Sequence, residues 1–418
     1  MATDDGDEVI VCTGGDHDRV EISVDPATGE RVVIVNGTAT RYGPSASLVV
    51  VRTGDGNDEV VVTPGVHLRV TVFGGAGDDV LRGGDGDDIL HGEGGADRIH
   101  GGAGNDRIWG GAGRDYIEAG PGDDTIRGGR ANDTVYGLGG ADAISGGGGN
   151  DFLEGGTGDD TLEGGRGNDV LSSGHGDDTM RGGHAHDRLY AGPGRDTVDG
   201  GAGVDVSYVQ QRDRVAAVER AVLVELRPVG TFIRIEGSPA FVERVQADLD
   251  LLRSSPRGKA LLTALAAGIR VSRSRLADTA VVRRFVSQGD TLTIREYVPP
   301  NREEDNSFAH SDVERRRGQQ MLVEYQTDLD NLYDGPPITV LYHELAHIYD
   351  FLLGTTAEGV YIRSDNPGAD NAERVAVGLP IDHDGDASTP HQRDPRHPYD
   401  YTENGLRDEL GTPRAPRY

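Results

Sequence analysis

The chain has 418 residues, room for two or three domains, and a formal charge of −30. Residues 1–208 hold 38 acidic and 15 basic side chains and residues 209–418 hold 33 and 26, nets of −23 and −7. So acidic a field excludes nucleic acid as a partner, and no apolar run reaches membrane-spanning length. Hard cations are its natural counter-charge. Cys12 is the only cysteine, so no internal disulfide can form. The start, Met1-Ala2-Thr3-Asp4-Asp5, lacks a basic stretch followed by an apolar core, so no cleavable signal peptide is expected.

Residues 1–73 are expected to form an irregular β cap. Strand-like runs at Glu8–Val11, Arg31–Val35, Leu48–Arg52, Glu59–Val62 and Leu68–Phe73 alternate with turn residues. Thr53–Val61, TGDGNDEVV, reads as a degenerate copy of the repeat that follows.

From Gly74 to Tyr208 the chain is a fifteen-fold nonapeptide: GGAGDDVLR, GGDGDDILH, GEGGADRIH and onward without insertion or deletion. The sixth position is aspartate in every unit. These are Asp79, Asp88, Asp97, Asp106, Asp115, Asp124, Asp133, Asp142, Asp151, Asp160, Asp169, Asp178, Asp187, Asp196 and Asp205. The eighth position is apolar in fourteen units; Ser207 is the exception and should mark the end of the stack. Glycines permit a tight turn with exposed carbonyls, the aspartate supplies a hard anionic oxygen, and the eighth residue points inward. A flexible linker would need no inward apolar residue every nine positions.

This segment resembles the RTX calcium-binding repeats of bacterial secreted toxins and proteases. The resemblance implies a parallel β-roll, a β-helix solenoid with two nonapeptides per turn and calcium between loops stacked on one side. Fifteen loops then divide eight and seven, leaving about 13 gaps for Ca2+. Ala131 and Ala185 replace the fourth-position glycine, and the units beginning at Gly92, Ala119, Gly137, Ser173 and Ala191 lack one opening glycine, so weaker sites are expected there. Without calcium the carboxylates repel and too little apolar surface is available, so the segment should be disordered. Extracellular calcium modules bind at about 10⁻⁴–10⁻³ M, which implies a chain unfolded inside its producing cell and folded once secreted.

Residues 209–230 read as a transition segment, and 231–418 as a second, α+β domain. Short strands are expected at 231–236 and 269–273, helices at Ala240–Leu252 and Gly258–Ala267, and a half-buried strand at Thr291–Val298. Pro336 and Pro337 suit a helix start and Gly354 its end. Within it, Ile338, Leu341, Leu345, Ile348 and Leu352 form one stripe at spacings of three and four. His343 and His347, one turn apart, fall on nearly the opposite face. This HELAH motif lets two imidazoles reach one Zn2+, with Glu344 placed to act as general base on an attacking water. A third ligand ten residues after His343 would fall on Leu353, which cannot bind. Glu373, 26 residues after His347, is favoured, with Glu358, Asp370 and His383 as alternatives.

The domain resembles the NleD-like effector metallopeptidases. The blocks that carry the likeness are FVERVQADLDLLRSSPRGKALLTAL, LYHELAHIYD, NAERVAVGLP and YTENGLRDELGTPRAPRY. The resemblance implies a zincin-like metallopeptidase holding one catalytic zinc on His343, His347 and Glu373, with Glu344 as base and a protein substrate, including proteins of another cell. Tyr399, Tyr401, His391 and His397 are the candidate oxyanion donors. The expected function is therefore a secreted, calcium-dependent zinc endopeptidase, toxin- or effector-like. The competing class is a calcium-dependent adhesive or surface-binding protein whose C-terminal domain is catalytically silent.

Overall fold

The nine-residue period becomes a loop and a strand. In each unit the loop closes at its aspartate and the strand starts at the next residue, as Asp88 precedes Ile89–Gly94. The computed structural model of the chain describes residues 2–4, 8–224, 233–275, 292–296, 321–325, 341, 345, 360–363, 366–370 and 403–410. Successive strands alternate between two parallel sheets of 12 and 13 strands, apart from antiparallel pairs near the N-terminus. Equivalent residues therefore pair two units apart, as Leu90↔Ile108 in the first sheet and Ile99↔Ile117 in the second. The result is a parallel β-solenoid of about ten turns over residues 48–223.

Its core is a double column of eighth-position side chains. Leu90, Ile108, Ile126, Ile144, Leu162, Met180 and Val198 line the first sheet; Leu81, Ile99, Ile117, Val135, Leu153, Leu171 and Leu189 line the second. Ser207 continues the second column and is fully buried although polar. Outside the first sheet, Phe73, His91 and Trp109 stack face to face at 4.8 and 4.4 Å, with the Arg52 guanidinium over Phe73 at 3.9 Å.

The segment 1–73, expected as an irregular β cap with five strand-like runs, contributes paired strands to both sheets. Glu8–Cys12 and Leu48–Asp55 continue the first sheet in parallel, and Arg19–Val24 and Glu59–Val62 the second. The longer spacing between turns there hides the repeat without breaking the register. Arg19–Val24, Arg31–Val35 and Thr38–Tyr42 form an antiparallel meander at the sheet end. Each parallel strand here places two apolar residues in the core, Val9 and Val11, Val20 and Ile22, Val49 and Val51, Val60 and Val62, Val70 and Val72.

The chain divides into two compact units, residues 1–224 and 225–418. In the second, Ile233–Glu236, Leu292–Glu296 and Met321–Tyr325 form a parallel sheet, with Leu292 and Ile294 fully buried. Helix Pro239–Ser254 starts at Ser238, whose side chain accepts the Phe241 N–H at 3.2 Å. It buries Phe241, Val245, Leu249 and Leu252, the face its spacing predicts. The Ser255 hydroxyl accepts the Gly258 N–H at 3.0 Å and opens helix Pro256–Arg275. That helix runs through 269–273, correcting the strand expected there: Ile269 and Val271 favour strands, but Gly268 only weakens the helix and no proline follows before Arg275. Helix Glu403–Leu410 is tied to it by the Arg257 N–H, which donates to Glu409 Oε2 at 3.0 Å. Val360–Arg363 and Asn366–Asp370 form an antiparallel hairpin.

Candidate metal sites

The fifteen repeat aspartates form two ladders, one along each edge of the roll. In each rung the backbone N–H donates to Oδ1 of the aspartate one turn ahead. Asp79 N–H reaches Asp97 Oδ1 at 2.9 Å, and Asp88 N–H reaches Asp106 Oδ1 at 2.8 Å. One edge carries Asp79, Asp97, Asp115, Asp133, Asp151, Asp169, Asp187 and Asp205; the other carries Asp88, Asp106, Asp124, Asp142, Asp160, Asp178 and Asp196. This is the division into eight and seven.

Every one of these side chains is buried, and in every one Oδ2 has no hydrogen-bond partner. A buried carboxylate oxygen without a partner is costly unless a proton or a cation meets it. Burial accordingly pushes these carboxyls up, to about 8 at Asp88, Asp160 and Asp169 and about 9 at Asp124 and Asp133, with neighbouring aspartates adding to the shift. The space before Oδ2 is kept open by the opening glycine. A methyl group built on Gly83 would lie 2.5 Å from Asp88 Oδ2 and 2.5 Å from the Gly101 carbonyl oxygen; one on Gly164 would lie 2.5 Å from Asp169 Oδ2 and 2.6 Å from the Gly182 carbonyl oxygen. A carboxylate oxygen and main-chain carbonyls around a small gap are the donor set of a hard divalent cation, so these residues fit calcium. At Ala119, Ser173 and Ala191 a side chain stands in that position, before Asp124, Asp178 and Asp196. Among the described residues no three His, Cys, Asp or Glu side chains converge.

The ladders run past the repeat at both ends. Asp18 N–H donates to Asp58 Oδ1 at 2.7 Å, and Asp58 N–H to Asp79 Oδ1 at 2.8 Å. At the far end Asp196 N–H reaches Asp213 Oδ1 and Asp205 N–H reaches Glu219 Oε2. Sequence reasoning noticed the unit around Asp58 but not Asp18, Asp213 or Glu219, whose spacings depart from nine. Asp18 differs from the repeat rungs. The Gly14 N–H, followed by the Asn36 side chain, holds its carboxyl below the ordinary range. A second, outer ladder accompanies the first. It uses Asp78, Asn132, Asn150 and Asn168 on one edge and Asp87, Asn105, Asp123, Asp159 and Asp177 on the other.

In the second unit, Leu341 and Leu345 are helical and fully buried, two members of the apolar stripe. His343, Glu344, His347, Glu373, His391, His397, Tyr399 and Tyr401 lie outside the described residues, as do Glu358 and His383; Asp370 ends the hairpin strand Asn366–Asp370.

Comparison with known proteins assigns both halves. Residues 71–99, 91–126, 118–153, 154–183 and 176–207 match the RTX calcium-binding nonapeptide repeat. Residues 230–418 match the family model Peptidase_M91, described as effector protein. No curated protein matches the chain. The chain thus joins RTX calcium-binding repeats to a Peptidase_M91 effector domain of the NleD-like kind.

Proposed function

We propose that this protein is a secreted zinc endopeptidase of the effector or toxin type, whose calcium-binding roll folds only after export. The observation that carries the calcium half is the unbroken series of buried, unpartnered Oδ2 atoms beside main-chain carbonyls. The peptidase half rests on the family match over 230–418 together with the HELAH motif at 343–347. No helix among the described residues is long and apolar enough to cross a membrane.

His343, His347 and Glu373 would hold the zinc, which when bound supplies a Lewis acid for water and the scissile carbonyl. Glu344 takes the proton of the attacking water on its carboxylate and passes it to the leaving amide nitrogen. Leu341 and Leu345 are both fully buried, which supports the apolar stripe expected of this segment. One of Tyr399, Tyr401, His391 or His397 would donate to the developing oxyanion.

The test is zinc per chain by elemental mass spectrometry on calcium-folded parent and His343→Ala, followed by peptide cleavage with Glu344→Gln. One zinc in the parent, lost in His343→Ala, and a fall in kcat of about 10²–10⁴ in Glu344→Gln are expected. No zinc in a folded parent offered zinc would favour the adhesive, catalytically silent reading.

A further inference from the structure

The first turns of the roll put protein groups where the repeats leave gaps. Asp18 is the first rung of its edge, yet both carboxylate oxygens are engaged. Oδ1 accepts from Asn36 Nδ2 at 2.6 Å and Oδ2 from the Gly14 N–H at 3.0 Å. Thr53 stands where the repeats have their opening glycine, and its hydroxyl donates to the Gly74 carbonyl at 2.5 Å. One turn earlier, Thr13 donates in the same way to the Thr53 carbonyl at 2.9 Å. In the repeats the equivalent carbonyls, such as that of Gly101, lie instead beside an unpartnered Oδ2. Asp58 sits between the two regimes: Oδ1 accepts from the Asp18 N–H, while Oδ2 has no partner.

Packing changes at the same boundary. Five strands before Gly74 each place two valine or isoleucine side chains in the core, where a repeat strand places one large apolar side chain. The antiparallel meander from Arg19 to Tyr42 finishes the sheet on that side. The opposite end is closed differently. Asp213 also engages both oxygens, with the Asp196 and Gln210 N–H groups, but Val204, Val215 and Leu223 are exposed there.

We propose that residues 8–72 fold without any cation and form the platform on which calcium-driven folding of the repeats begins, proceeding from Asp79 toward Asp205. The inference rests on the calcium reading above. A solenoid turn gains its stability from the neighbour it stacks on, so the first calcium-dependent turn forms most readily on a turn already present. In the absence of calcium the chain is then half-built, with an exposed, correctly registered end waiting for its next turn.

Hydrogen exchange of the full chain, read by mass spectrometry at stepped calcium from an EGTA baseline, tests this. Peptides from 8–62 should be protected in EGTA while those from 79–205 exchange as unfolded chain, and added calcium should protect the turns near 79 before those near 205. Equal loss of protection over 8–205 in EGTA would overturn the platform and leave the calcium reading standing. Full protection of 79–205 in EGTA would instead overturn the calcium reading itself. Thr13→Val removes, at nearly constant volume, a hydroxyl whose acceptor, the Thr53 carbonyl, lies within residues 8–72; it should speed exchange of 8–62 in EGTA roughly five- to tenfold and leave the calcium-saturated rates of 79–205 unchanged. Unchanged exchange in EGTA would refute the part given to Thr13.

Discussion

The roll and the C-terminal unit solve the same problem with different means. Helix Pro239–Ser254 buries Phe241, Val245, Leu249, Leu251 and Leu252 within 16 residues, a conventional apolar face. A repeat unit orders nine residues, several of them glycine, around one inward apolar side chain such as Leu162. Glycine loses the most conformational freedom on folding, so that single side chain does not offset the ordering of its unit. On the proposal above, the deficit is met by what the loops bind: one unit is held by its own side chains, and the other borrows its stability from the solution around it.

The largest effect expected from this contrast is the response to chelation. EGTA should remove most of the β signal of the roll in far-UV circular dichroism and spare the helical signal. Identical spectra with and without calcium would erase the distinction. Leu262→Ala, in the fully buried face of helix Pro256–Arg275, should do the reverse. Denaturant unfolding in calcium should show the C-terminal transition weakened by about 2–5 kcal/mol, with the calcium midpoint of the roll unmoved.

A third effect is the pH dependence of the calcium-free roll. Fourteen of the fifteen repeat aspartates are raised from 3.8 to between about 6 and about 9, so the folded state binds more protons than the unfolded chain across that window. Stability from these groups is therefore fully present below 3.8 and lost as pH rises toward 9. Circular dichroism in EGTA should show more β structure at pH 4 than at pH 8. A rise in β content with pH would contradict the buried carboxyls. The smallest effect concerns Ser207, whose hydroxyl is buried in the apolar column without a partner. Ser207→Val should stabilise the last turns by about 1 kcal/mol in calcium, read from the unfolding midpoint; a loss of stability would mean that the hydroxyl is needed there.

The repeat was legible because one period fixes loop, strand and core at once. Leu81 and Leu90 could be placed inward, and Asp79 and Asp88 at loop ends, from spacing alone. What escaped was whatever depends on register between distant turns. Arg19–Val24 has no glycine rhythm to announce it, and Asp18 reaches Asp58 across 40 residues. Thr53 could be read as a flawed glycine, but the carbonyl that its hydroxyl meets belongs to another turn. In the C-terminal unit the apolar spacing located the two long helices, whereas strand propensity at Ile269 and Val271 misled because a helix already under way overrides it. The proposed zinc ligands His343, His347 and Glu373 and the proposed base Glu344 rest on motif and family, since they lie outside the described residues.

The stacked column outside the first sheet has a practical corollary. Trp109 is the only tryptophan of the chain, and it lies against His91 in the fourth repeat unit. Tryptophan emission therefore comes from the roll alone and from a position that exists only when neighbouring turns are in register. The protein carries its own optical gauge of solenoid assembly, readable during synthesis, export or titration without a label.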